Sequence, residues 1–297
     1  MKKNRTVFQG VATALITPFS GNGIDYEKFG ALIDWQIESG VNALVVCGTT
    51  GEASTLTDDE HRDAIAYAVK RVNKRVPVIA GAGSNDTSYA LDLAKCSCEA
   101  GADALLCVTP YYNKCTQNGL VKMFTAIADN STVPVILYNV PGRTGINIEP
   151  ATYLALADHP NVCGIKEASG NISKAVETMS LVGDKLDLYS GNDDQVLPIL
   201  SLGGKGVISV LSNVVPQKTV EMCNRFFKGD ITGCAKLQYS MLPLIHALFS
   251  EVNPIPVKAA MNAMNFCSPD IRLPLTELEE NHKKILFEEM RKNGVKF

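Results

Sequence analysis

VPVILYNVP, residues 133–141, is a short apolar run rich in β-branched residues that ends in polar and turn-forming positions, and NVCGIKE, residues 161–167, repeats that pattern one helical segment later. The same unit recurs upstream as VATALITP (11–18), NALVVCG (42–48), VPVIAGAG (76–83) and ADALLCVTP (102–110), and downstream as LDLYSGN (186–192) and GVISVLSN (206–213). Most of the eight runs begin about 25 to 33 residues after the one before, a length suited to strand-helix units. Near-continuous apolar strands imply burial on both faces, and so a parallel sheet. Eight such units predict a (β/α)8 barrel, an α/β fold of the TIM-barrel type.

The segments between the runs read as helices. In TDDEHRDAIAYAVKRVN (57–73), Thr57 and Glu60 have the spacing of a capping box. NDTSYALDLAKCSCEAGA (85–102) is expected to end at Gly101. The chain is therefore divided into a catalytic barrel over 1–228 and a helical extension over 229–297. The extension holds TGCAKLQYSMLPLIHALF (232–249), an extended Asn253-Pro254-Ile255-Pro256, and TELEENHKKILFEEMRKN (276–293).

Composition narrows the function. With 46% hydrophobic and 20% charged residues, the 297-residue chain has ample material for a core. A net charge of −3 offers no footprint for nucleic acid. No apolar run approaches the ~18 residues of a membrane-spanning helix, and MKKNRTVFQG at the start lacks the apolar stretch of a signal peptide. A cytoplasmic location is expected. The nine cysteines are scattered without a CxxC pair and the four histidines are separated in sequence, so neither disulfides nor a metal site is expected.

In a (β/α)8 barrel the chemistry gathers at the C-terminal ends of the strands. Those ends supply Gly48-Thr49-Thr50-Gly51-Glu52, Thr109-Pro110-Tyr111-Tyr112-Asn113, Tyr138-Asn139-Val140-Pro141-Gly142-Arg143, Lys166, Gly191 and Ile208. No histidine and no metal-binding carboxylate pair stands among them, which argues against activated-serine hydrolysis and metal-assisted aldol chemistry. A buried strand ending on a lysine needs a reason. As a primary amine, Lys166 condenses with a ketone to an imine that acidifies the neighbouring carbon. It must be neutral to attack, and moving a lysine from ~10.4 to ~7–8 costs about 3–4 kcal/mol. Tyr138, one strand away, is a candidate acid/base. The Gly-Thr-Thr-Gly loop suits a carboxylate through its N–H groups and hydroxyls. Arg143 suits a second carboxylate through its planar fork.

Taken together, the Thr17-Pro18-Phe19 turn, GTTGE (48–52), TPYYN (109–113), YNVPGRTG (138–145), GIKEAS (164–169), SGND (190–193), GVIS (206–209), NPIPVK (253–258) and RLPLT (272–276) resemble the pyruvate-dependent class I aldolase family of dihydrodipicolinate synthase and N-acetylneuraminate lyase. The resemblance spans essentially the whole chain. It implies that Lys166 forms a Schiff base with pyruvate and needs no other cofactor. Thr49 and Thr50 would hold the pyruvate carboxylate, with Thr49 also relaying protons. Tyr138 would be the general acid/base, and Tyr112 would complete the relay from a neighbouring subunit. Arg143 would grip the carboxylate of L-aspartate 4-semialdehyde, and Gly191 and Ile208 would line the pocket. The resemblance also implies a homotetramer built as a dimer of dimers.

The family's lysine-sensitive members carry an allosteric pocket. Its positions here are Ala53, Ser54, Asp58, His61, Asn85, Tyr89 and Tyr111. Tyr89 stands where those members place a glutamate, so weak or absent feedback inhibition is expected. Two other readings stay open: a sister lyase acting on N-acetylneuraminate or a 2-keto-3-deoxy sugar acid, and a non-catalytic ligand-binding barrel.

Overall fold

The computed structural model describes residues 6–21 and 23–297. The expectation that the chain starts without a leader falls partly on residues 1–5, outside the described residues. Eight parallel strands close into a barrel: β1 (Gly10–Ala14), β2 (Ala43–Val46), β3 (Val78–Gly81), β4 (Ala104–Val108), β5 (Val135–Asn139), β6 (Val162–Glu167), β7 (Asp187–Ser190) and β8 (Gly206–Ser209). Closure comes from β1, which pairs with both β8 and β2. Each strand expected from sequence is present.

The two faces of the strands explain why the runs are apolar throughout. Ala12, Ala14, Val45, Ile79, Leu106, Ile136 and Ile208 point into the barrel, where Phe8 and Tyr189 stack with ring centroids 4.3 Å apart and fill the floor. Val11, Leu44, Leu105, Leu137, Ile165 and Leu188 point outward into the layer between barrel and helices, against Leu32, Ile65, Leu93 and Ile127. Each such side chain contributes about 1.5–3 kcal/mol by leaving water.

The described residues form twelve α-helices, nine of them along the barrel and three after it: α1 (Tyr26–Glu38), α2 (Asp58–Val72), α3 (Thr87–Glu99), α4 (Gln117–Asp129), α5 (Pro141–Thr144), α6 (Pro150–Leu156), α7 (Ile172–Val182), α8 (Val196–Ser201), α9 (Pro216–Phe227), α10 (Ile231–Leu248), α11 (Ile255–Ala263) and α12 (Glu280–Lys292). The capping box of α2 is complete: Glu60 N–H donates to Thr57 Oγ1 and Thr57 N–H to Glu60 Oε2. Helix α3 stops at Glu99 with Ala100 as its cap, and Gly101 lies one place beyond with φ +90°. Asn253-Pro254-Ile255-Pro256 is not extended as expected. Asn253 and Pro254 form a turn, and the next two residues open α11, whose first turn tolerates proline because its leading N–H groups have no helical partner.

The expected division at residue 228/229 falls in the turn between α9 and α10. We propose it as the boundary of the helical unit, although one continuous core runs through Leu244, Met261 and Met290 into the barrel's outer layer. Arg272 of this unit reaches back to α2, where its fork donates to both oxygens of Glu60 at 2.6 and 2.5 Å. That bond holds the Glu60 carboxyl below its ordinary value. A depressed carboxyl contributes stability above its unfolded pKa of 4.5 and loses it as pH falls through the folded value. Arg272→Gln is therefore expected to lower Tm by about 2 °C near neutrality, for a pair worth about 1 kcal/mol. Melting curves across pH should show this gap closing below pH 4.5.

Candidate active site

Strands β5 and β6 set the centre. Their register places Tyr138 beside Lys166 and Asn139 beside Glu167. An irregularity in the same ladder pairs Val135 with Val162 but Ile136 with Gly164, so β6 carries one extra residue. Its effect is decisive. Cys163 faces the barrel interior, and strict alternation from it would turn Lys166 outward into the helix layer. The bulge shifts the alternation and aims Lys166 inward instead. Gly164 suits this place, since a Cβ there would lie 3.0 Å from Asp187 O. Lys166 is 6% exposed, and its Nζ lies 4.0 Å from the centroid of the Tyr138 ring.

On the outer face, Asn139 Nδ2 donates to both oxygens of Glu167 at 3.2 and 3.1 Å and to Asn147 Oδ1 at 2.8 Å. Ser169 N–H donates to Glu167 Oε1 at 2.6 Å. This buried network fastens the two strand ends together one residue past Tyr138 and Lys166. Gly191 leaves room for the amine's stem, because a Cβ there would lie 3.2 Å from Lys166 Cε and 2.6 Å from Ala168 Cβ. Asp193 joins the ends of β7 and β8, its Oδ2 accepting from Val210 N–H at 3.0 Å and Leu211 N–H at 2.9 Å. Burial pushes the Asp193 carboxyl up.

The loop after β2 turns tightly, with Gly51 N–H donating to Gly48 O and Glu52 N–H to Thr49 O, each at 3.1 Å. Left-handed residues flank it, Cys47 at φ +55° and Glu52 at φ +54°. Among the described residues, the backbone N–H groups of Thr49 and Thr50 donate to no group of the chain. Thr50 is buried and its Oγ1 accepts from Asn253 Nδ2 at 3.1 Å. Arg143, in the short helix α5, is exposed and donates through Nη2 to Asn253 O at 2.9 Å.

Lys166, Tyr138, Thr49, Thr50, Arg143 and Gly191 thus line one cavity of ≈ 80 Å³. Ile208 is not in its wall but in the barrel interior, and Val210 stands at the end of β8 instead. Tyr112 does not join the cavity either: it is 93% exposed, with φ +65°. Asn192, which stands beside Gly191 in the SGND stretch, also lines the cavity, as do Asn253 and Phe249, which sequence reasoning missed. The NPIPVK stretch was the available signal for Asn253.

A neighbouring cavity of ≈ 250 Å³ shares Thr49, Tyr138 and Arg143 and adds Ala53, Ser54, His61, Tyr89 and Tyr111. Of the other two expected allosteric positions, Asp58 stands beside Tyr89 and accepts from Arg62 Nε at 3.0 Å, and Asn85 O accepts from Asn113 Nδ2 at 2.9 Å. Burial, then Asp58, pushes the Tyr89 phenol up to about 12. His61 Nε2 is 2.8 Å from Gly81 O, an acceptor only, so this nitrogen carries the proton, and burial pulls the imidazole's pKa down. Among the described residues, one group brings three metal-type ligand atoms together, Glu251, Glu279 and His282. It lies outside the cavity, and His282 Nδ1 already bonds to Glu251 Oε1 at 2.7 Å.

A buried primary amine at the mouth of a (β/α)8 barrel, faced by a phenol and flanked by a hydroxyl-amide loop and a guanidinium, defines the class of imine-forming aldolases. The comparisons with known proteins make this particular. The model of the Dihydrodipicolinate synthetase family matches residues 7–292, and the chain belongs to that family. It is 52% identical over 291 residues to 4-hydroxy-tetrahydrodipicolinate synthase of Acetivibrio thermocellus, covering 98% of this chain and 99% of that one. It is 49% identical over 290 residues to 4-hydroxy-tetrahydrodipicolinate synthase 1 of Clostridium acetobutylicum, with 98% and 99% covered. The crystal structure of the chloride-inhibited dihydrodipicolinate synthase of Acinetobacter baumannii complexed with pyruvate superposes with a TM-score of 0.95 at 41% identity, covering 98% of this chain and 100% of that one.

Proposed function

We propose that the chain condenses pyruvate with L-aspartate 4-semialdehyde to 4-hydroxy-tetrahydrodipicolinate, a step towards diaminopimelate and lysine. The observation that carries this is the buried Lys166 amine against Tyr138, between the Thr49-Thr50 loop and Arg143. Nζ attacks the keto carbon of pyruvate, and loss of water leaves an iminium. The iminium draws electrons from the methyl carbon, whose proton passes towards Tyr138 with Thr49 in the relay. The resulting enamine carbon attacks the aldehyde, whose oxygen takes up a proton to become the hydroxyl. Attack of the semialdehyde's own amine on the iminium carbon then closes the ring and frees Lys166. Thr49 and Thr50 hold one carboxylate and Arg143 the other, and the nitrogen of Lys166 supplies the electron sink without a metal or organic cofactor.

Tyr138→Phe keeps the ring over Nζ and removes only the hydroxyl. It is expected to lower kcat by about 10²–10⁴-fold, the range of a general acid/base. Steady-state rates measured beside the unsubstituted protein check this. A coupled assay with pyruvate and L-aspartate 4-semialdehyde, run beside N-acetylneuraminate cleavage, tests the proposal. Synthase activity alone supports it, and cleavage alone would transfer the chain to the sister lyases.

Tyr112 fits a residue offered to a neighbouring chain, being almost fully exposed on a left-handed backbone. We propose a cytoplasmic homotetramer, a dimer of dimers, in which Tyr112 completes another subunit's relay. Among the described residues no helix is long and apolar enough to cross a membrane. Weak or absent inhibition by lysine is also proposed. Tyr89 presents a neutral phenol, and the carboxylate of Asp58 beside it is already taken by Arg62. Initial rates over a lysine titration to millimolar concentrations should stay within about twofold of the uninhibited rate, a differential below about 0.5 kcal/mol.

A further inference from the structure

We propose that the C-terminal helices set the shape of the carboxylate-binding loop, with Lys258, Glu52 and Asn253 as positioning residues; the inference rests on the imine reading above. Lys258 and Glu52 form an ion pair at 2.7 Å with side chains 2% and 1% exposed. Lys258 lies on α11 and Glu52 closes the Gly48–Glu52 loop. Lys258 Nζ also donates to Asp270 O at 2.6 Å and lies 4.1 Å from the centroid of the Phe19 ring. The other Glu52 oxygen, Oε2, accepts from Arg272 N–H at 3.2 Å.

A buried ion pair is poor value as a stability device, because well-packed apolar residues serve as well or better. Its worth lies in specifying one conformation, and here there is a conformation that needs it. Cys47 and Glu52 bracket the loop in the left-handed region, which side chains other than glycine, asparagine and aspartate rarely adopt. Such a geometry persists only where its surroundings over-determine it. Lys258 holds one end of the loop, and Asn253, five residues earlier, holds its middle through Thr50 Oγ1. The carbonyl of Asn253 meanwhile fixes Arg143, so a single residue spans the two carboxylate grips.

The test removes both charges at once, leaving no orphaned ion. In the double variant Glu52→Gln with Lys258→Met, pyruvate KM is expected to rise about tenfold, the sign of lost ground-state binding, and kcat per competent site to fall as well, because the same loop carries Thr49 of the relay. Competent sites are counted by borohydride trapping at saturating pyruvate. A merely structural role would reduce that count and leave KM unchanged, and wild-type KM in the folded double variant overturns the inference. Should the double variant not fold, Asn253→Ala decides: a raised pyruvate KM supports the inference and a wild-type KM overturns it. Absence of any trapped adduct in the unsubstituted protein would instead overturn the imine reading, and this inference with it.

Discussion

Lys166→Ala is expected to lower kcat/KM by about 10⁴-fold or more, equivalent to at least 5.5 kcal/mol of transition-state stabilisation, while the protein remains folded. The size follows from the chemistry. Without an imine there is no electron sink, and the methyl group of pyruvate must ionise next to an ordinary ketone. Among the described residues no other amine lines the cavity, and the side chain of Arg143 there is a guanidinium, which forms no imine with pyruvate. Truncation also removes a stem packed against Gly191, so some stability is lost. The activity loss should exceed anything attributable to unfolding, which circular dichroism and thermal melting establish independently. Lys166→Arg separates the roles further. It keeps a long nitrogen-tipped side chain near Tyr138 and removes the nucleophile, and it should be as inactive as the alanine variant.

Arg143→Ala is expected to cost about 10²–10³-fold in kcat/KM for the semialdehyde, the 3–4 kcal/mol of a lost charge-assisted fork, and to leave imine formation with pyruvate within a few-fold. The asymmetry comes from placement. Arg143 sits on α5 at the cavity mouth and makes no ion pair among the described residues, donating instead to the backbone carbonyl of Asn253. On the proposed reading it is an open grip for the carboxylate of the second substrate and takes no part in the bond between Nζ and pyruvate. Separate KM measurements for the two substrates check this. Equal losses for both would mean that Arg143 supports the cavity as a whole, and a protein with no semialdehyde activity before substitution would belong with the sugar-acid lyases.

The barrel was legible because every strand is buried on both faces, so eight apolar runs at steady spacing have one economical solution. Lys166 was legible for the same reason, as a charge in the wrong place. What the pattern conceals is how Lys166 comes to face inward. Alternation alone would have turned it outward, and the bulge at Cys163-Gly164 depends on a tertiary ladder that no local pattern encodes. Asn253-Pro254-Ile255-Pro256 read as extended because prolines interrupt helices, yet their positions at the start of α11 are those that tolerate proline. Asn253, Lys258 and Glu52 meet only because distant parts of the chain pack together, and spacing carries no trace of that. Tyr112 shows the opposite limit: it stands outside the cavity of its own chain, and the role proposed for it depends on assembly.

The most direct test of the imine is reduction with sodium borohydride in the presence of pyruvate, followed by peptide mass spectrometry. The expected result is a single modified site, the peptide carrying Lys166, heavier by one pyruvate less one water plus two hydrogens, and no adduct when pyruvate is omitted. An unmodified Lys166, or pyruvate trapped on another lysine while the enzyme turns over, would contradict it.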